Sequence, residues 1–489
     1  MNPVTTMTHH AATNHDPRHW AAFAVLLVGA FLPPLDFFIV NVALPSIRQG
    51  LGATPAEVQL VISGYAGAYA VFLITGGRLG DLFGRRRVFL TGLTGFGLSS
   101  VLCGLSVSPM MLIAGRILQG LSAAVMAPQG LASIHALFPD HEKSRALGFY
   151  GAAIGLAAVI AQSIGGLLIS ANLFDLHWRV IFLINLPIVA AVFLGGLPLL
   201  PDTRSDHPAT LDRVGVLLSA LALGLLITPL VEGREAGWPW WSWLMLAVSP
   251  LAGMLFWRHE AALARRGGTP LVSPELMSAP GLAVGLMGVL LFYVLSAFFL
   301  TFSVYLQSAL GASALSAGLV FVPCGVGFFL GPLTTPLAIR VFGRFVPAIG
   351  MLCEVLGCVL LCLVVVAAPV GHYPAGLPTD AALWLIGFGQ GWALPTLVRS
   401  VIDRGPVGGS GMISGVVNSA LQISAALGVA VIGGVFYAVA GLHSSPASMA
   451  HALIVAMLSI AVCLVVSAAL SVLASAGPKS SVVKQRPAA

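Results

Sequence analysis

The stretches GRLGDLFGRRRV (residues 77–88) and PLAIRVFGRFV (336–346) share the tripeptide Phe-Gly-Arg, at Phe83-Gly84-Arg85 and again at Phe342-Gly343-Arg344. Each lies between apolar runs of about 20 residues, the length an α-helix needs to cross the hydrocarbon core of a bilayer. The match is short, and its position makes it informative. In a chain that crosses fourteen times, one copy follows span 2 and the other follows span 10. Those are equivalent places in a duplicated six-helix unit interrupted by an inserted pair of helices. Duplicated halves around a midplane site are a transporter architecture.

Composition supports the membrane reading. The 489 residues are 58% hydrophobic and only 8% charged, with a mean hydropathy of +0.97, whereas soluble domains carry about 25% charged residues. The first 19 residues are polar, and the apolar run after them lacks a small-residue cleavage site, so it reads as a first span and not a removable signal. Apolar segments fall at roughly 20–43, 57–76, 88–107, 109–134, 146–170, 179–199, 214–231, 240–257, 281–306, 316–339, 346–368, 380–400, 411–440 and 450–473. The expected fold is therefore an all-α polytopic membrane protein of fourteen helices. Its expected parts are a cytoplasmic tail (1–19), a six-helix bundle (20–199), a linker with two additional helices (200–280), a second six-helix bundle (281–473) and a cytoplasmic tail (474–489).

Charge placement gives the orientation. With the amino terminus inside, nineteen Lys and Arg residues fall in inner loops and tails and three (Arg48, Arg179, Arg234) in outer loops, Arg116 remaining within span 4. The positive-inside rule then puts both termini in the cytoplasm. The pI near 9.2 is thus topological and does not point to nucleic acid. The tryptophans of GWPWWSW (237–243) fall at the outer interface as an aromatic belt. All six cysteines sit in apolar segments without CxxC or Cys/His spacing, so neither a disulfide nor a metal site is expected from them.

Chemistry must come from the few polar groups inside the spans. No GxxxxGK[ST], HExxH or GxSxG occurs, and none of the three lysines follows a glycine; a nucleotide-driven pump is excluded on this chain. No cofactor is expected, and a proton gradient is the expected energy source. Intramembrane ionisable residues are functional candidates by default. Asp36, in FLPPLDFFIVNVALP (31–45), lies about 24 Å from the inner end of span 1 at 1.5 Å per residue. Arg116 lies about 10 Å from the outer end of span 4, hence at comparable depth. Glu354 lies about 12 Å from the inner end of span 11. Desolvation and a nearby guanidinium pull a carboxylate's pKa in opposite directions, which can bring its titration near neutrality. A site that exchanges a proton for a substrate is the simplest antiporter; the competing explanation is a static Asp36–Arg116 pair joining spans 1 and 4. Pro33 and Pro34 interrupt the helix ladder beside Asp36, and Asn41 follows it at five residues. In GGRLGDLFGRRR (76–87), the glycines at 77, 80 and 84 suit a tight turn and close helix approach, and Asp81 suits a helix amino terminus.

These stretches carry a family resemblance that covers roughly residues 20–470. The chain resembles the fourteen-span drug:proton antiporter branch of the major facilitator superfamily (the EmrB/QacA type). LDFFIVNVALP is similar to that branch's span 1 signature, with Asp36 at its acidic position. GGRLGDLFGRRR resembles the superfamily's loop motif at Gly77, Leu79, Asp81, Gly84, Arg85 and Arg86, with Leu82 in place of the usual basic residue. GRILQGLSAA resembles the span 4 motif, supplying Arg116, Gln119 and Gly120. WRVIFLINLP, YLQSALGASALSAGLVFVP and SGVVNSALQISAALGVAV resemble blocks in spans 6, 9–10 and 13. The resemblance implies Asp36 in proton coupling or cation recognition, Arg116 in proton transfer and the Asp81 loop in gating. The span 5 antiporter motif is a variant: Gly148, Gly165 and Gly166 match, but Ala161 and Gln162 replace glycine and proline, so the kink is lost and an amide is gained.

The expected function is proton-driven export of amphipathic, cationic or neutral organic compounds from a bacterial cytoplasmic membrane. The alternatives are a dedicated metabolite exporter or uptake system of the same superfamily and, more remotely, a membrane-embedded enzyme or channel. The expected partners are a small-molecule substrate, protons and lipid. The short outer loops suggest a stand-alone monomer without a periplasmic adaptor.

Overall fold

The computed structural model describes residues 18–201, 211–233, 236–404, 410–441 and 445–476. The two tails beyond these bounds, Arg204 and Arg234 lie outside the described residues, which form helices and turns without a strand. The first six helices are α1 (Arg18–Leu51), α2 (Pro55–Phe83), α3 (Arg85–Gly104), α4 (Pro109–Leu137), α5 (Asp140–Ala171) and α6 (His177–Leu199). Next come α7 (Arg213–Glu232), α8 (Trp240–Arg265) and α9 (Leu282–Ala309), then α10 (314–342, whose two segments meet at Phe321). The last four are α11 (Val346–Ala367), α12 (Leu377–Ile402), α13 (Ser410–Ala440) and α14 (Pro446–Ala476).

Among the described residues, twelve helices are long and apolar enough to cross a membrane. One of the twelve, Ala314–Ala367, is a 54-residue run that contains both α10 and α11, and α5 contributes only the shorter apolar stretch Ile160–Ala171. The starts are written locally. Thr54 accepts from the Glu57 amide (3.2 Å) while the Glu57 carboxylate accepts from the Thr54 amide (2.8 Å), a capping box ahead of Pro55. Ser108, Asp212 and Ser313 cap α4, α7 and α10 by accepting the amide three residues on.

The repeated Phe-Gly-Arg marks equivalent turns. Gly84 (φ 96°) separates α2 from α3, and Gly343 (φ 55°) separates α10 from α11. Both conformations penalise a Cβ, which accounts for glycine at both places. The structure corrects the expected extent of the first turn: residues 77–83 remain helical, and Gly84 alone breaks α2. Gly77 and Gly80 instead face α4, at Pro128 and Gln129.

Without water to drive them together, membrane helices associate through close packing, and small residues permit it. At the α2–α4 crossing a side chain on Gly76 would strike the Ala124 backbone, and one on Gly120 the Tyr65 backbone. Helices α1–α6 pack among themselves, as do α9–α14, and the two sets meet where α2 packs on α13, α5 on α10 and α1 on α9. Helices α7 and α8 pack on each other, and α7 rests on α2 and α13. The pair is peripheral: 22% and 17% of its apolar windows are buried, against 67% for α1. Its exposed Leu217, Leu221, Leu251 and Leu255 are lipid-facing surface, and Trp240 and Trp243 are exposed at the start of α8.

Candidate functional site

Asp36 is fully buried near the middle of α1, and two other helices supply its partners. On α4, Arg116 donates through Nη1 to Asp36 Oδ2 and to Gln119 Oε1 (2.7 Å). Gln119 Nε2 donates to Asp36 Oδ1 and to Ser100 Oγ on α3 (2.9 and 2.8 Å). Asn185 on α6 donates to the same two acceptors (2.9 and 3.3 Å). Arg116 Nε donates to the Val61 carbonyl of α2 (3.0 Å), and its guanidinium lies 4.3 Å from the centre of the Tyr65 ring. The Tyr65 hydroxyl donates to the Pro33 carbonyl (3.1 Å), one residue before Pro34 in the proline pair. Cys103 Sγ lies 3.8 Å from Gln119 Oε1.

Every one of these polar side chains is at most 1% exposed. Desolvating a carboxylate and a guanidinium costs several kcal/mol per ion, and the pair is tolerable only when further hydrogen bonds answer the remaining atoms. Asp36 meets that condition, since both of its oxygens are occupied. Arg116 Nη2 has no hydrogen-bond partner among the described residues, so the π-face of Tyr65 stands in for part of its solvation.

Of the residues singled out from sequence, the fold brings together Asp36, Arg116 and Gln119. Asn41 is not part of the cluster: its amide bonds back to the Phe37 and Phe38 carbonyls of its own helix (3.3 and 3.1 Å). Glu354 is apart as well. It is fully buried on α11 against Gly389 of α12, and neither carboxylate oxygen has a hydrogen-bond partner among the described residues. Asn185 and Ser100 were not singled out. Asn185, within the quoted block WRVIFLINLP, is the polar residue that could have signalled its role.

The variant span 5 motif lies between α1 and the opposite set of helices. Gln162 Nε2 donates to the Phe38 carbonyl of α1 (3.0 Å), and its Oε1 has no hydrogen-bond partner among the described residues. Its side chain lines a narrow pocket with Phe299, Phe321, Cys324, Phe328 and Gln390, contributed by α5, α9, α10 and α12. Beyond it, Gly165 lies against Ile39 and Val42 of α1, and Gly166 against Ala314 and Leu315 of α10. Ser170 Oγ accepts the Leu315 amide (3.1 Å) and Ser163 Oγ donates to the Gly318 carbonyl (3.3 Å), so hydrogen bonds as well as glycine packing join the two helix sets here. Gly148 is on α5, but its surroundings lie outside the described residues.

At the Gly84 turn, Arg85 Nη1 donates to the Ala132 carbonyl of α4 (3.0 Å) and Nη2 lies 3.5 Å from Asp81 Oδ1. Arg86 donates to the Leu197 carbonyl of α6. The motif thus ties α2 and α3 to α4 and α6 at one end of the bundle.

Residues 26–429 match the family model described as the Major Facilitator Superfamily. The chain belongs to the Major Facilitator Superfamily. It is similar to the Streptomyces coelicolor protein named "Probable actinorhodin transporter", with 37% identity over 87% of this chain and 73% of that one. It is also similar to the Streptomyces glaucescens protein named "Tetracenomycin C resistance and export protein", with 32% identity over 87% of this chain and 78% of that one. A solved structure of a bacterial homologue of the human drug peptide transporters PepT1 and PepT2 superposes with a TM-score of 0.64, covering 93% of this chain and 98% of that chain. At 13% identity it shows the fold alone. The protein is a multi-span membrane transporter of this superfamily.

Proposed function

We propose that this superfamily member exports amphipathic organic compounds in exchange for protons, and that it belongs to the fourteen-span drug:proton antiporter branch. The observation that carries the reading is the buried Asp36, whose two oxygens are held by Arg116, Gln119 and Asn185 from two other helices. Protonating Asp36 cancels its charge and leaves the Arg116 cation uncompensated, so the packing of α1 against α4 and α6 depends on one proton. Asp36 is sealed from the pocket, so it serves as the coupling acid and not as a substrate ligand. Substrate is assigned to the aromatic pocket, where Gln162 and Gln390 are the polar contacts among phenylalanines. Apolar pockets with a few placed polar groups suit amphipathic ligands. The names of the relatives, which include resistance and export, support the outward direction and this substrate class.

Fourteen spans follow from length. A straight helix of 54 residues would extend about 80 Å, far more than a core of about 30 Å, and Ala314–Ala367 turns back at Gly343. Helix α5, at 32 residues, is itself long enough to cross. The chain then divides into bundles 20–199 and 281–473 around the pair α7–α8, with both termini in the cytoplasm.

Proteoliposomes with an imposed pH gradient test the function. Movement of a cationic dye, or of compounds from an antibiotic panel, out of the lumen is expected to acidify the lumen in step, and accumulation against a substrate gradient is expected to stop with a protonophore. Substrate movement indifferent to the gradient would sink the antiport reading. The complete satisfaction of Asp36 also favours a second reading, a structural lock between α1 and α4. The double variant D36N/R116Q separates them: a lock predicts recovery of both stability and gradient-driven transport, whereas a coupling acid predicts recovery of stability alone.

A further inference from the structure

At the end of the inserted pair that lies beside the Gly84 turn, three side chains converge that transport as described above does not use. Asp212 caps α7, its Oδ1 accepting the Gly215 amide (2.9 Å) and lying 2.8 Å from His259 Nε2 on α8. The next residue on α8, Glu260, is fully buried and accepts the Val272 amide through Oε2 (2.8 Å). The second oxygen of each carboxylate, Asp212 Oδ2 and Glu260 Oε1, is buried with no donor on it among the described residues, and the two lie close enough to share one proton or one cation. Both crowd the same point, the open face of Gly215. One ligand atom each from Asp212, His259 and Glu260 lies within 4.8 Å of the others.

Two buried carboxylate oxygens side by side, with an imidazole nitrogen next to them, call for a cation among them. We propose that Asp212, His259 and Glu260 bind a divalent transition-metal ion of the Zn2+ type. One imidazole and two carboxylates provide three ligands with a fourth position left for water, a donor set and count that Zn2+ accepts. Mg2+ and Ca2+ take six or more oxygens, and Cu+ selects sulfur ligands that are absent from the cluster. Zinc–ligand bonds of about 2.0–2.2 Å imply ligand atoms about 3.4 Å apart, which is reached from the present spacing by small side-chain rotations. The His259 side chain is 27% exposed and Asp212 4%, so the imidazole edge is the entry path.

The site would act as a clasp. Glu260 holds Val272, and in the same strap the Thr269 and Pro270 carbonyls accept from Arg78 of α2, the Thr269 bond at 2.6 Å. A bound ion would therefore fasten α7, α8 and the strap after α8 to the helix that ends at Gly84.

The test uses the full-length protein, purified in detergent through a histidine-free affinity tag and stripped with chelator. Titrated Co2+ is expected to give a saturable visible band at one ion per chain, displaced by Zn2+, and Zn2+ is expected to raise the melting temperature. H259Q and E260Q are each expected to weaken Co2+ binding more than tenfold, while H9Q/H10Q/H15Q in the amino-terminal tail leaves it unchanged. If E260Q does not fold, H259Q, at a partly exposed position, still decides. Absence of a one-to-one band, or wild-type affinity in H259Q, would overturn the site. So would a melting temperature that responds to pH but not to Zn2+, which would mean that the carboxylates share a proton instead.

Discussion

At Asp36 the physical chemistry is a matter of bookkeeping between donors and acceptors in a medium without water. Three side chains donate to it, and removing any one leaves a buried oxygen short. Asn185→Ala is expected to cost about 1.5–3 kcal/mol, the range for hydrogen bonds to charged groups. Arg116→Ala is expected to cost about 3–5 kcal/mol, because it strands a buried carboxylate. Thermal unfolding of the purified variants measures both, and equal, negligible effects would mean that the cluster is not under load. The sequence made Asp36 and Arg116 legible, since a charge in an apolar run is costly and needs a reason. Asn185 and Ser100 were not legible, because small polar residues in a span can satisfy themselves on their own helix. The neighbouring Ser99 does so, donating to the Gly95 carbonyl (2.8 Å), and so does Asn41. Only tertiary placement distinguishes Ser100 from Ser99.

Among the elements, the crossing of α5 and α10 and the turn at Gly84 are the two places where movement is expected. If export proceeds by alternating access, the α5–α10 seam must part during each cycle. Cysteines introduced at Ser170 and Leu315, on a background without the six native cysteines, are expected to cross-link under oxidation and to reduce transport at least tenfold, with recovery in reductant. Undiminished transport by the cross-linked protein would remove this seam from the cycle. At the turn, the Asp81–Arg85 contact is long and partly exposed, so it contributes little static stability. Asp81→Asn is accordingly expected to slow turnover severalfold with a smaller change in substrate affinity; a selective loss of affinity would contradict a gating role. The existence and order of the helices could be read from hydropathy, whereas the helical state of residues 77–83 could not. Their glycines signal a turn locally, and it is the close approach of α4 that makes them useful within a helix.

Across the whole molecule, the orientation proposed here rests on the distribution of arginine and lysine and is not displayed by the fold. An alkaline phosphatase fusion after Gly237 is expected to be active, and one at the carboxyl terminus inactive while a fluorescent-protein fusion there glows. The reverse pattern would invert the topology. The duplicated Phe-Gly-Arg was legible in the sequence, and both of its glycines, Gly84 and Gly343, adopt a positive φ at a helix break. The peripheral seat of α7 and α8 was not legible, since a lipid-facing helix and a buried one are equally apolar in sequence. The central claim remains that the proton on Asp36 drives export. It is tested most directly by purified D36N, shown by thermal melting to be folded, in proteoliposomes with an imposed pH gradient. Loss of gradient-driven accumulation of a cationic dye with substrate binding retained is the expected result; full gradient-driven transport by D36N would contradict it.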